Sequence, residues 1–363
     1  MFFNSNIIEK EECNTGRQLE LDVAKAYSIF IMIIIHCLAY SSLCISSQDD
    51  TYLYLGMYLG MAAPIFLFSM GITMCYTRNK TYQAFIKRGI HLLLLGFIIN
   101  ILYFLSNYGA GIGLNYALNS LLANDVLQFA GLSFILIGIF KKYNLKNATI
   151  MKIALIMSLI GTIITGLTFD NLYLTQFVGN FVNTYGTNIV SAFPLFNWFL
   201  ITVLGLRFGS YLRRCNNKTE FYRNLLIPLT VICIVGVITF LPLENGMFDI
   251  IGLTAVQRAN FFQSNTLEII YSALFTILTF AIIHFIIPYI PDKIKDLILF
   301  ASKNITIIYI IQWILILSIL EINLFLNIVP SYLTTLVTIL GVIILSLILT
   351  RIYLYLKKLI FNK

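Results

Sequence analysis

Ten runs of about twenty apolar residues follow one another along the chain, and this recurrence limits the fold more than any motif does. Each run is long enough to cross the ~30 Å hydrocarbon core of a bilayer as a helix. They fall at about residues 22–43, 56–76, 89–106, 119–140, 151–168, 193–212, 224–241, 265–287, 297–320 and 333–355. In hydrocarbon every backbone polar group must be satisfied inside the segment, so runs of this length form helices. The expectation is an all-α, polytopic integral membrane protein of about ten transmembrane helices. With 59% hydrophobic and only 11% charged residues, the chain lies outside the range of soluble domains.

The basic residues test that count, because a missed helix would swap the sides of every later loop. With both termini in the cytosol, 22 of the 24 Lys and Arg residues lie in cytosolic segments. Lys25, at the inner end of the first helix, makes one more, and Arg258 alone falls outside. Topology therefore accounts for the net charge of +8, and no nucleic-acid partner is needed. Residues 1–16 read as a poorly ordered cytosolic tail, residues 17–355 as one transmembrane domain, and residues 356–363 as a basic cytosolic tail. The start of the chain lacks the basic-then-apolar order of a cleavable signal, so the first helix is expected to stay as an anchor. The six cysteines show no metal-ligand spacing and read as free thiols, some of them packing residues.

The stretch Arg17 to Tyr40, RQLELDVAKAYSIFIMIIIHCLAY, carries the most chemistry. Asp22, Lys25, Ile29, Met32 and His36 follow 3-4-3-4 spacing, so an acid, a base and an imidazole share one helix face. Lys25 and His36 are about 16 Å apart along that face. Ionisable groups inside a span are costly and mark functional sites or pathways. The plainer alternative is that Lys25 snorkels to the interface while His36 hydrogen-bonds a neighbouring helix.

Other polar positions each carry two readings. The small residues and Pro64 of GMYLGMAAPIFLFSMGI permit close helix packing or a kink. Arg78, Lys80, Lys87 and Arg88 suit cytosolic topology or a phosphate-rich ligand. Asp125 and Gln128 suit a helix cap or a site, and Trp198 an aromatic belt or a site. Arg258 stands against the charge bias, where it pairs with an acid or meets an anionic acceptor. Ser302, Asn304, Tyr309 and Gln312 run inward along a late helix, as helix glue or cavity lining.

Four of these stretches, in order, resemble the transmembrane acyltransferase superfamily. RQLELDVAKAYSIFIMIIIH is similar to its first helix, where acyltransferase family 3 has an arginine, ten residues and a histidine; here Lys25 and His36 keep that spacing. AAPIFLFSMGI with the following KRG, and FPLFNWFLITVLG, resemble the heparan-alpha-glucosaminide N-acetyltransferase branch, with Asn197 where proline is common. SKNITIIYIIQWILI resembles a late helix in which histidine is common at the position of Gln312. The resemblance covers roughly residues 17–320.

It implies transfer of an acyl group, by family default acetyl, from cytosolic acetyl-CoA to a hydroxyl or amine of an extracytoplasmic or lipid-linked glycan. On this reading His36 is the catalytic base, with Asp22 and Lys25 beside it. Lys25, Lys87, Arg88, Tyr309 and Gln312 bind the donor, while Asp125, Gln128, Trp198 and Arg258 face the acceptor. No metal is expected. The partners are the bilayer, the acyl-CoA and the glycan, and an oligomer is compatible with these helix surfaces. The high content of Ile, Asn and Lys suits a bacterial plasma membrane. Two other readings compete: a transporter or flippase, against which stands the lack of an inverted repeat, and a non-catalytic partner in glycan assembly.

Overall fold

Apolar runs without two-residue alternation leave the helix as the local solution, and helices account for most of the described residues. The computed structural model describes residues 7–44, 61–111, 113–184, 192–240 and 264–361. In chain order the helices are α1 (Leu19–Cys44), α2 (Ala62–Tyr76), α3 (Tyr82–Gly109), α4 (Leu114–Ser120), α5 (Val126–Lys142), α6 (Asn147–Ile163) and α7 (Leu172–Gly179). They continue with α8 (Leu195–Leu212), α9 (Lys218–Phe240), α10 (Thr266–Ile286), α11 (Asp292–Lys303), α12 (Ile305–Phe325) and α13 (Tyr332–Phe361). The sole strand-like feature among the described residues is a bridge between Ile8 and Cys215.

The described parts of the ten apolar runs are mainly helical. Among the described residues, seven helices are long and apolar enough to cross a membrane: α1, α3, α8, α9, α10, α12 and α13. Helices α2 and α6 are apolar but shorter. Two runs differ from expectation, the first being 119–140, which is interrupted between Ser120 and Val126 so that α4 and α5 are separate helices. The run at 297–320 is broken at Asn304, so α12 is a separate apolar helix and α11 precedes it as an amphipathic one. The sequence of α11, DKIKDLILFASK, places charges on one face and Ile294, Leu297 and Phe300 on another, the pattern of a helix lying at an interface. Pro291 stands at its N-cap, where a missing N–H costs nothing.

The chain divides into two compact units. The first takes in residues 1–21, 67–96 and 122–289. Its core holds Trp198, Tyr222, Phe68, Phe129, Phe199, Phe221 and Phe280, all fully buried. Phe208 sits among them, with its ring centroid 5.5 Å from Phe68 and 5.7 Å from Phe221.

Small residues set the helix spacing there. A Cβ on Gly71 would lie 2.0 Å from the Thr202 carbonyl oxygen, and one on Gly205 would lie 2.1 Å from that of Phe68. Helices α2 and α8 therefore touch backbone to backbone, which selects close packing for the small residues of α2. Helix α3 meets α5 in the same way, with Gly89 against Gly131 and Gly96 against Gln128.

Residues 7–16 are docked on the first unit, in contrast to the expected loose tail. Ile7 is 1% exposed, Glu9 N donates to the Arg214 carbonyl at 2.8 Å, and Asn14 N donates to that of Arg213 at 2.8 Å. Asn216 N donates to the Ile7 carbonyl at 3.1 Å, and Arg213 forms an ion pair with Glu12. The turn after α8 has unpaired carbonyls and a cationic surface, and an acidic segment led by Ile7 satisfies both.

The second unit takes in residues 22–66, 97–121 and 290–363. Here Asn100 Nδ2 donates to the Leu121 carbonyl at 3.0 Å, α12 packs on α13, and the Arg351 guanidinium lies 5.2 Å over the Phe300 ring.

Candidate functional site

The predicted stripe of the first helix is its inward face in the second unit. Asp22, Ile29 and Met32 are buried, while Lys25 and His36 are half-buried. Polar groups at such positions need partners, and the structure supplies them from late in the chain. Ser302 Oγ donates to Asp22 Oδ1 at 2.6 Å. Gln312 Nε2 lies 3.2 Å from His36 Nδ1. The His36 ring stacks on Trp313 at 4.2 Å with 29° between planes, and Tyr309 meets it edge-on at 6.2 Å. Tyr103 closes the group, edge-on to Trp313 at 5.0 Å.

Helical periodicity explains the arrangement. Tyr309, Gln312 and Trp313 are at i, i+3 and i+4, so one face of α12 presents a phenol, a carboxamide and an indole together. All three are buried. Rings on two sides limit the tilt of the imidazole, and Gln312 sets its in-plane direction. A carboxamide can offer either its NH2 or its oxygen to a ring nitrogen. Turned so that the oxygen accepts from Nδ1–H, it leaves Nε2 with a lone pair for a proton acceptor's role. Gln312 Oε1 is buried and has no other hydrogen-bond partner among the described residues.

Of the residues expected at the site, the second unit thus brings together His36, Gln312 and Tyr309, and places Asp22 and Lys25 on the same stripe of α1. Trp313 and Tyr103 were not among the expected residues. Trp313 was legible, because it completes the i, i+3, i+4 pattern already begun by Tyr309 and Gln312. Tyr103 carried no local signal.

The other expected residues belong to the first unit. Lys87 and Arg88 are exposed on α3, with the Arg88 guanidinium 4.9 Å over the Phe134 ring. Asp125 caps α5: its Oδ1 accepts from Val126 N at 2.6 Å, and Gln128 Oε1 accepts from Asp125 N at 3.2 Å, a capping box. Trp198 is fully buried and edge-on to Phe193 at 5.0 Å, so it is a core residue and not a lipid-facing belt anchor. Arg258 lies outside the described residues.

The first unit also contains a buried polar cluster that the sequence did not single out. Glu20 is 2% exposed, and its Oε1 accepts from Lys218 Nζ at 2.8 Å and from His284 Nδ1 at 2.8 Å. Thr219 Oγ1 lies 3.2 Å from His284 Nε2, and the Tyr222 ring 4.8 Å from the imidazole. Among the described residues, no group of His, Cys, Asp and Glu is arranged to hold a metal ion.

Residues 17–241, well over half of the chain, match the family described as heparan-alpha-glucosaminide N-acetyltransferase, catalytic. The match contains the whole Asp22–Lys25–His36 stripe and stops short of Tyr309, Gln312 and Trp313. No curated protein sequence matches the chain. With an all-helical fold, several helices apolar enough to cross a bilayer and this match, the chain is a multi-pass membrane protein that belongs to the heparan-alpha-glucosaminide N-acetyltransferase catalytic family.

Proposed function

We propose that the protein moves an acetyl group from cytosolic acetyl-CoA to a hydroxyl or amine of an extracytoplasmic or lipid-linked glycan, across the cytoplasmic membrane of a bacterium. The topology proposed with it has ten crossings and both termini in the cytosol, as the distribution of basic residues favours. The observation that carries the reading is the imidazole of His36, held by Gln312 and Trp313 at the deep end of an inward-facing stripe that begins at Asp22 and Lys25. Family membership supports acetyl transfer as the reaction class.

In this reading Lys25 binds a donor phosphate near the inner surface, as a cation at a span end does without a large desolvation cost. Ser302 holds Asp22 beside it. His36 lies about 16 Å deeper. Its Nε2 takes the proton from the acceptor hydroxyl or amine as that atom forms a bond to the acetyl carbonyl carbon. The carbon–sulfur bond breaks, and the departing thiolate receives the proton from His36. Gln312 positions the imidazole through Nδ1, and Tyr309 with Trp313 keeps the site dry around it.

The test uses the purified protein in liposomes with acetyl-labelled acetyl-CoA and a panel of amino sugars and glycolipids. The expected result is CoA release coupled to acceptor acetylation, abolished in His36→Ala while donor binding persists. Movement of a sugar across the bilayer without CoA release would instead establish a transporter.

A further inference from the structure

Helix α12 contains a single acidic residue, Glu321, and the second unit places it beside a groove. Ser106 Oγ of α3 donates to Glu321 Oε1 at 2.5 Å. A groove of about 280 Å3 opens there, lined by Leu102, Leu105, Ser106, Ile314, Ser318 and Glu321. A carboxylate close to the end of an apolar helix is costly, and one serine satisfies only part of it.

Three features define what fits. The groove is half-open, and its walls are apolar side chains exposed at the protein surface, with Leu105 at 56% and Ile314 at 45%. Its polar end offers a carboxylate oxygen and two serine hydroxyls. Among the described residues, no lysine or arginine lines it. Exposed apolar walls suit a hydrocarbon chain, and acceptor oxygens with hydroxyls suit a sugar ring or an ammonium. A phosphate would meet the negative charge of Glu321 with no cation to offset it. The volume lies near the lower end of the ~300–1,000 Å3 of small-molecule sites, which is room for about one ring.

The groove lies along the same helix faces as the residues packed around His36. Trp313, Leu317 and Glu321 are four residues apart on one face of α12, and Tyr103 and Ser106 are three apart on α3. Tyr103 touches Trp313, on which His36 stacks. Along α12, Glu321 is about 12 Å from Trp313. On the topology proposed above, this end of α12 faces the outer side of the membrane.

The geometry points to this groove as the entry and binding site for a lipid-anchored saccharide without a phosphate at its headgroup, with Glu321 gripping the sugar and the apolar walls its hydrocarbon chain. This rests on the acetyltransferase reading, which it deepens by naming the acceptor class and its route, lateral from the bilayer. The α3 wall of the groove, with Leu102, Leu105 and Ser106, lies within residues 17–241, whereas Glu321 and the α12 wall lie beyond the family match.

The experiment is fluorescence quenching in lipid nanodiscs. The chain has two tryptophans. Trp313 flanks the route, while Trp198 is fully buried in the other unit. A dodecyl glucoside brominated at mid-chain is titrated against the same brominated chain bearing a phosphocholine headgroup, and Trp313→Phe supplies the background. The glucoside is expected to quench saturably, and Glu321→Gln to raise its half-saturating mole fraction at least about fivefold, with a smaller effect of Ser106→Ala. The phosphocholine analogue should show no saturable phase. Identical curves for the two headgroups, an absence of saturation, or an unchanged curve in Glu321→Gln would each overturn the proposal. The titration contains no acetyl-CoA and reads binding alone. Failure of acetyl transfer in the intact protein is thereby read separately from failure of the groove.

Discussion

Gln312 Nε2 stands 3.2 Å from His36 Nδ1, a contact between residues 276 positions apart in the chain. It puts a neutral carboxamide where a positioning partner for a base is needed. Groups that orient a reacting side chain are commonly worth about 10- to 100-fold in activity. Gln312→Leu is therefore expected to lower the rate of acetyl transfer about 10- to 100-fold with donor binding unchanged. Gln312→Glu, which can also accept from Nδ1–H, should recover most of that loss. Equal damage in both variants, or a matched loss of donor affinity, would show that Gln312 acts through packing alone.

Lys25 is expected to serve the donor and not the chemical step. Lys25→Ala should raise the KM for acetyl-CoA about 10- to 100-fold, the range of one charge-assisted contact, with kcat within a few-fold. Lys25→Arg should restore binding. Steady-state kinetics at saturating acceptor separates the two parameters, and a loss confined to kcat would move Lys25 into the catalytic step.

Backbone contact between α2 and α8 leaves no room at Gly71, where a Cβ would fall 2.0 Å from the Thr202 oxygen. Gly71→Ala is expected to cost about 1–3 kcal/mol or more through forced separation of the helices. Gly341 of α13 has nothing within 4 Å of the same position. Gly341→Ala should instead stabilise by about 0.5–1 kcal/mol through helix propensity. Thermal unfolding in detergent reads both, and the opposite signs are the test.

Glu20 accepts from two cationic or potentially cationic groups through one oxygen, deep in the first unit. Removing one partner of a buried polar pair leaves the others without compensation, at a cost of roughly 3 kcal/mol. Glu20→Ala is expected to unfold at clearly lower temperature. Replacing Lys218 as well, in Glu20→Ala with Lys218→Met, should recover part of the loss, because both halves of that pair are then gone. Simple additivity of the two changes in Tm would show that the pair contributes no coupling.

Thiol labelling reports on the docked N-terminal segment. Cys13 is exposed, whereas Cys215 is 2% exposed and burial pushes its thiol up to about 11. A folded-state value above the ordinary one means less thiolate at pH 8, so labelling of Cys215 by a maleimide should be slow and rise as pH approaches 11. Labelling of Cys13 should be fast. Ile7→Asp, which undocks the segment, is expected to speed labelling of Cys215 at pH 8 with no change at Cys13. Equal rates at the two cysteines in the unaltered protein would contradict the docking.

Fold class and the α1 stripe were legible because both rest on local rules. A bilayer-length apolar run leaves the helix as the way to satisfy its own backbone, and 3.6-residue periodicity puts Asp22, Lys25 and His36 on one face wherever that helix goes. Hydropathy alone did not resolve the break at Asn304, since α11 carries enough apolar residues on one face to merge with α12 in a sliding window. Nor could it tell Asp125 as a cap from Asp125 as a ligand, a distinction that depends on where the Gln128 side chain points. Which residues meet His36 was decided by tertiary structure, because Gln312, Trp313 and Tyr103 come from helices hundreds or tens of residues away, and helix packing depends on the shapes of whole surfaces. The same holds for Glu20 with His284 and for Glu321 with Ser106. Each acid looks like an ordinary interfacial charge in the sequence, and acquires its meaning from a partner that only the folded chain brings within hydrogen-bond distance.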